Sequence, residues 1–137
     1  MKKLIYAIPL MLVLGACATS GNLNTVDRKG PNVINPDDEE EYELVIFDND
    51  FDRWFTVNGK PVSYYSPSYY EQKNRIYVQA WNEKVGQQGF YRSANYPFEQ
   101  AINYDYGTNY GVELNYKLFW YFKYIEDLYG RRYDFPS

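Results

Sequence analysis

The sequence predicts a small α+β fold, mainly α, with a minor two-stranded β element. Three observations predict it. Two long segments, about 67–85 and about 111–129, carry apolar residues at helical spacing. A shorter segment near 51–57 repeats that spacing. Only two short stretches, 42–47 and 102–106, read as strands. With 137 residues the chain holds one domain at most. One Cys and no His exclude disulfide scaffolds, Cys/His metal centres and Ser–His or Cys–His catalytic units.

The N-terminal segment reads as an address. Lys2 and Lys3 form a basic start, and Leu4 to Leu14 is apolar with Pro9 in the middle. A bilayer core of about 30 Å needs about 20 apolar residues, so this run is too short to span it. Its shape is that of a secretory signal over 1–16. The ending Leu14-Gly15-Ala16-Cys17 resembles a bacterial lipobox, in which Cys17 is acylated and cleavage falls just before it. One acyl chain binds membranes marginally, at about 0.8 kcal/mol per buried CH₂, whereas two or more anchor stably. The expected partner is therefore the lipid bilayer, reached through acylated Cys17. Loss of Lys2 and Lys3 leaves the remainder more acidic than the −4 of the whole chain. Nucleic acid is not an expected ligand of so acidic a body.

Residues 17–41 read as the lipidated Cys and a tether. Ala18 to Glu41 holds no aromatic residue and ends in Asp37-Asp38-Glu39-Glu40-Glu41. So polar a segment buries too little apolar surface to offset its ordering entropy. The globular domain is expected over 42–134. All Tyr but Tyr6 lie at or beyond Tyr42, and large rings help a short chain build a core.

Within the domain, Tyr42 to Phe47 reads as a buried strand, stopped by Asp48-Asn49-Asp50. Phe51, Trp54 and Phe55 then fall at i, i+3, i+4 after Asp50 as cap, with Gly59 and Pro61 as stops. The competing hairpin across Asn58-Gly59 would place Pro61 in the return strand, where only an edge tolerates it. In the second helix Ser66 or Ser68 caps, and Ser68/Glu71 has capping-box spacing. Tyr69, Tyr70, Ile76, Tyr77, Ala80 and Trp81, with Val85, form its apolar face, and Gly86 ends it. Residues 87–109 form an aromatic-rich connection, in which Ile102, Tyr104 and Tyr106 alternate with polar residues. Pairing that stretch with 43–47 would close the small sheet. The last helix has the core stripe Leu114, Leu118, Tyr121, Phe122 and Ile125, continued by Leu128 and Tyr129. Gly130 is its stop, with Arg131 and Arg132 beside the negative end of the dipole.

Trp54-Phe55, Tyr64-Tyr65-Ser66, Tyr69-Tyr70, Lys73-Asn74, Tyr77-Val78 and Trp81-Asn82 form one series of motifs. Ile102-Asn103-Tyr104, the run Tyr110 to Leu118, and Tyr121-Phe122 before Tyr129-Gly130 continue it. In these the chain resembles a family of small, uncharacterised Bacteroidota lipoproteins, catalogued as a domain of unknown function. The resemblance covers most of 42–130. It implies location alone, with no activity, cofactor or catalytic residue.

Candidate chemistry is sparse. Asp48-Asn49-Asp50-Phe51-Asp52 opens like an EF-hand loop, but its sixth position is Arg53 and its twelfth Gly59, where Gly and Glu are needed. No metal and no cofactor are expected. Glu71, Glu83, Glu99, Asp105 and Glu113 supply carboxylates, yet no spacing singles out a glycosidase pair. On the last helix Tyr116, Trp120 and Tyr124 stand at i, i+4, i+8, away from the core stripe and beside Lys123 and Asp127. They form a candidate binding ridge, suited to sugar faces or a partner protein. The alternative is that this helix is buried on two sides, under the 87–109 connection.

The expected protein is a membrane-anchored envelope lipoprotein with a non-enzymatic binding or structural role, its partner an envelope protein or cell-wall glycan. The alternative is a carboxylate-dependent hydrolase of cell-wall glycan. Ala18 after the anchor points to the outer membrane facing the periplasm. Export to the cell surface is the runner-up, since the acidic run begins only at Asp37.

Overall fold

The computed structural model describes residues 30–35, 42–90 and 95–136. The expected signal peptide over 1–16, Cys17 and the acidic run at 37–41 lie outside the described residues. Two short strands, β1 (Asn32–Ile34) and β2 (Glu43–Val45), form an antiparallel sheet. Its register pairs Asn32 with Val45, Val33 with Leu44, and Ile34 with Glu43. Three α-helices follow among the described residues: α1 (Asn49–Asn58), α2 (Pro67–Gly86) and α3 (Val112–Tyr133). The mainly helical α+β class is the one the periodicity predicts.

The expected partner of β2 is corrected. It is 32–34, not 102–106, and so it comes from the segment read as tether. Polarity over 18–41 concealed one apolar turn of chain: Gly30, Pro31 and Val33 are buried. A Cβ on Gly30 would stand 2.5 Å from Cζ2 of the fully buried Trp81, so only glycine lets the backbone approach that ring. Residues 102–106 form no strand, and at Ile102 the backbone is satisfied by a side chain of α2 instead. The Ile102 N–H donates to Asn82 Oδ1 at 2.8 Å, and Asn82 Nδ2 donates to the Ile102 carbonyl at 3.0 Å. Trp81 Nε1 holds the Gln100 carbonyl at 2.8 Å, and Gln88 Nε2 holds that of Phe98 at 2.7 Å. Trp81 and Asn82 of α2, with Gln88 just past its end, thus do for this connection what a neighbouring strand would do.

α1 exists in place of the hairpin. Its cap is Asp48, not Asp50: Asp48 Oδ1 accepts from the N–H groups of Asp50 and Phe51 at 3.0 and 3.2 Å. Ser66 caps α2, its hydroxyl oxygen accepting from the Tyr69 N–H at 3.2 Å, with Pro67 in the first turn. α3 begins at Gly111, whose φ of +79° only glycine adopts without strain. It runs through Gly130, against expectation, because the next turn buries Tyr133. Asp134 in the left-handed conformation caps it, its N–H donating to the Gly130 carbonyl.

α3 is the central beam. α2 packs along one side, with Tyr77 stacked on Phe122 at 5.1 Å between ring centroids. Trp81 meets Phe98 at 4.8 Å, bringing in the connection. Between the helices the buried Asn74 amide donates to both oxygens of Asn115, at 2.9 and 3.1 Å. Two positions of the expected apolar faces differ outright, Ile76 and Leu128 being more than half exposed, while Tyr69, Val85 and Tyr129 are half-buried. Asn74 and Lys84 are buried on α2.

Candidate functional site

The line Tyr116, Trp120, Tyr124 exists on α3, but it is not an exposed ridge. Trp120 is 7% exposed and Tyr124 4%, and Tyr116 is half-buried. The cover is α1, not the 87–109 connection. Phe51 of α1 packs on Tyr124 at 5.6 Å, Trp54 on Trp120 at 6.4 Å, and Phe55 on Tyr116 at 5.8 Å. Their i, i+3, i+4 spacing turns these three rings to one side of the short helix. Two polar tips are tied down. The Tyr116 hydroxyl donates to the Lys60 carbonyl at 2.6 Å, and the Tyr124 hydroxyl lies 3.4 Å from Asp48 Oδ1. Burial, then the Asp48 charge, pushes the Tyr124 phenol above its ordinary range.

Where α1 leaves α3, a groove of about 580 Å³ opens. α3 supplies Trp120, Lys123, Asp127 and Arg131 to it, and α1 supplies Trp54 and Val57. The α3 residues are at i, i+3, i+7 and i+11, one face of the helix. Asn58, Lys60 and Glu126 complete the walls. Some of these groups are internally satisfied. Trp54 Nε1 donates to Asp127 Oδ2 at 2.9 Å. Glu126 Oε2 accepts from Lys123 Nζ at 2.6 Å and from the Tyr77 hydroxyl at 2.7 Å. Burial, and next that hydrogen bond to Glu126, raises the Tyr77 phenol far above its usual range. The Trp120 indole N–H is buried with no acceptor. The sequence places Lys123 and Asp127 beside the aromatic line. It gives no sign of Arg131 as a wall, because a cation beside the end of a helix already has a reason in the dipole.

A smaller cleft of about 180 Å³ joins Glu71 and Arg75 to Tyr104 and Asp105. Two of the five candidate acids thus share a concavity, with Glu71 half-buried and Asp105 exposed. Arg75 donates to the Tyr106 carbonyl at 2.9 Å and lies over its ring. Tyr104 donates to Asn115 Oδ1 at 2.7 Å, and burial pushes its phenol up to about 12. Asp48 caps α1 and Asp50 pairs with Arg53, so the EF-hand-like run does helix work. Among the described residues no three metal-binding side chains gather, and no helix is long and apolar enough to cross a membrane.

A family model matches residues 4–135 of the chain and is described as a family of unknown function, DUF6146. The chain belongs to DUF6146. The match takes in most of the N-terminal apolar segment, Cys17 and every element described above, more than the resemblance over 42–130. No curated protein and no solved structure matches the chain.

Proposed function

We propose that the chain is a membrane-anchored envelope lipoprotein with a non-enzymatic binding or structural role. In this reading acylated Cys17 holds it to the outer membrane and its body faces the periplasm. The observation that carries the proposal is the order Lys2-Lys3, an apolar run to Leu14, Gly15-Ala16, and the chain's one Cys at the position lipidation requires. The DUF6146 match begins at residue 4, so the apolar run and Cys17 fall within the family's span. The groove between α1 and α3 supports the binding role. It joins aromatic and charged side chains in one concavity, the usual make-up of a recognition site. The hydrolase reading stands second, because none of Glu71, Asp105, Glu126 and Asp127 is buried, and a general acid of that class needs a desolvated carboxyl.

Replacement of Cys17 by Ser tests the anchor. The variant is expected to accumulate as unprocessed precursor without the mass of acyl chains. A Cys17→Ser protein that matures and fractionates unchanged overturns the proposal. Protease added to intact cells reads the membrane face, with protection expected and complete digestion meaning surface display.

A further inference from the structure

We propose that the groove between α1 and α3 binds a saccharide carrying one carboxylate per short repeat. The inference deepens the binding role above and does not depend on Cys17. The volume of about 580 Å³ lies within the roughly 300–1,000 Å³ of small-molecule sites. Its aromatic surface is the half-buried Trp54, backed by the buried Trp120, and Val57, 81% exposed, stands at the lip. Indole faces stack on the C–H faces of pyranose rings.

Charge selects the kind of sugar. The chain carries a net −4, yet three cations, Lys60, Lys123 and Arg131, meet in this groove. Lys123 is engaged by Glu126, and Asp127 accepts from Trp54. Among the described residues the side chains of Lys60 and Arg131 make no hydrogen bond or ion pair. Three cations against two carboxylates leave one positive charge, which matches a ligand with a single carboxylate. Glu126 and Asp127 accept from sugar hydroxyls. The same two carboxylates repel a nucleotide or polyphosphate, whose charge is greater.

The test uses the full chain in detergent micelles and its three indole N–H resonances, from Trp54, Trp81 and Trp120. The probe is the disaccharide of N-acetylglucosamine and N-acetylmuramic acid, whose lactyl group carries one carboxylate. N,N′-diacetylchitobiose is the neutral control. The acidic disaccharide is expected to shift the Trp54 and Trp120 signals. Trp81, bonded to Gln100 on the far side of α3, is expected to stay still and to report that the fold is intact. Lys60→Ala and Arg131→Gln are each expected to weaken binding by up to about fivefold, as loss of an exposed ion pair does. Both side chains are exposed, so the fold should survive. Absence of any shift overturns the proposal, as do equal binding of the neutral control, tighter binding of ATP or inorganic phosphate, or unchanged affinity in the double variant. A failed Cys17→Ser experiment leaves this titration untouched, so the two readings fail separately.

Discussion

Trp81 and Trp120 are both buried, yet their indole nitrogens differ, and Trp→Phe at each position measures the difference. Trp81 is 0% exposed and Trp120 7%. Each replacement removes part of an indole from the core, roughly 1 kcal/mol at about 25 cal/mol per Å². At Trp81 the change also deletes the 2.8 Å bond to the Gln100 carbonyl, worth about 0.5–1.5 kcal/mol net. At Trp120 it deletes an orphaned donor, whose burial costs about 1–3 kcal/mol. Trp81→Phe is therefore expected to destabilise by about 2 kcal/mol, and Trp120→Phe to lie near neutral or slightly stabilising. Urea unfolding of the purified variants reads this as a shift in midpoint at constant slope. Trp120→Ala serves as the control and should cost about 3–5 kcal/mol, comparable to Leu118→Ala, because α1 makes this ring part of the core. If Trp120→Phe costs as much as Trp81→Phe, the Trp120 N–H has an acceptor and the reasoning fails.

Two further outcomes follow from the packing. Gly30→Ala is expected to destabilise by about 1–3 kcal/mol, since its Cβ would overlap a fully buried ring; unchanged thermal stability would show that residues 30–35 do not pack on Trp81. Burial raises the pKa values of the buried Tyr77 and Tyr124 and the half-buried Tyr104, that of Tyr104 to about 12. Their unfolded-state value is 10.0, so their contribution is full below pH 10.0 and is lost as pH rises toward their folded values. Absorbance at 295 nm should show these phenols ionising late and together with unfolding, whereas early independent titration of all tyrosines would contradict it.

The three helices were legible because α1, α2 and α3 repeat rings and aliphatic side chains every three or four residues, and packing needs that repeat. The strand partner was not. Gly30 to Ile34 holds too few apolar residues to stand out in a polar stretch, and its place depends on a ring 51 residues away, at Trp81. The connection misled for the opposite reason. Its alternation at 102–106 suits a strand, but Asn82 already takes both backbone groups of Ile102 where that strand would begin. The aromatic line on α3 was located correctly, and its cover was not. Sequence periodicity says which side chains share a face, not which neighbour lies against it. Cys17 was legible as a motif alone and needs no fold.

The arrangement of α1 has a consequence for motion. Among the described elements it touches only α3, whereas α2 is tied both to α3 and, through Trp81 and Asn82, to the connection. Its detachment therefore breaks one interface and leaves the α2–α3 pair whole. Such a unit exchanges its amide hydrogens by partial opening, at less free energy than the whole domain requires. Each opening bares Tyr116, Trp120 and Tyr124 together and dissolves the groove that shares Trp54 with them. A ligand seated between Trp54 and Arg131 would hold the short helix shut, slowing hydrogen exchange along α1 while leaving α2 unchanged.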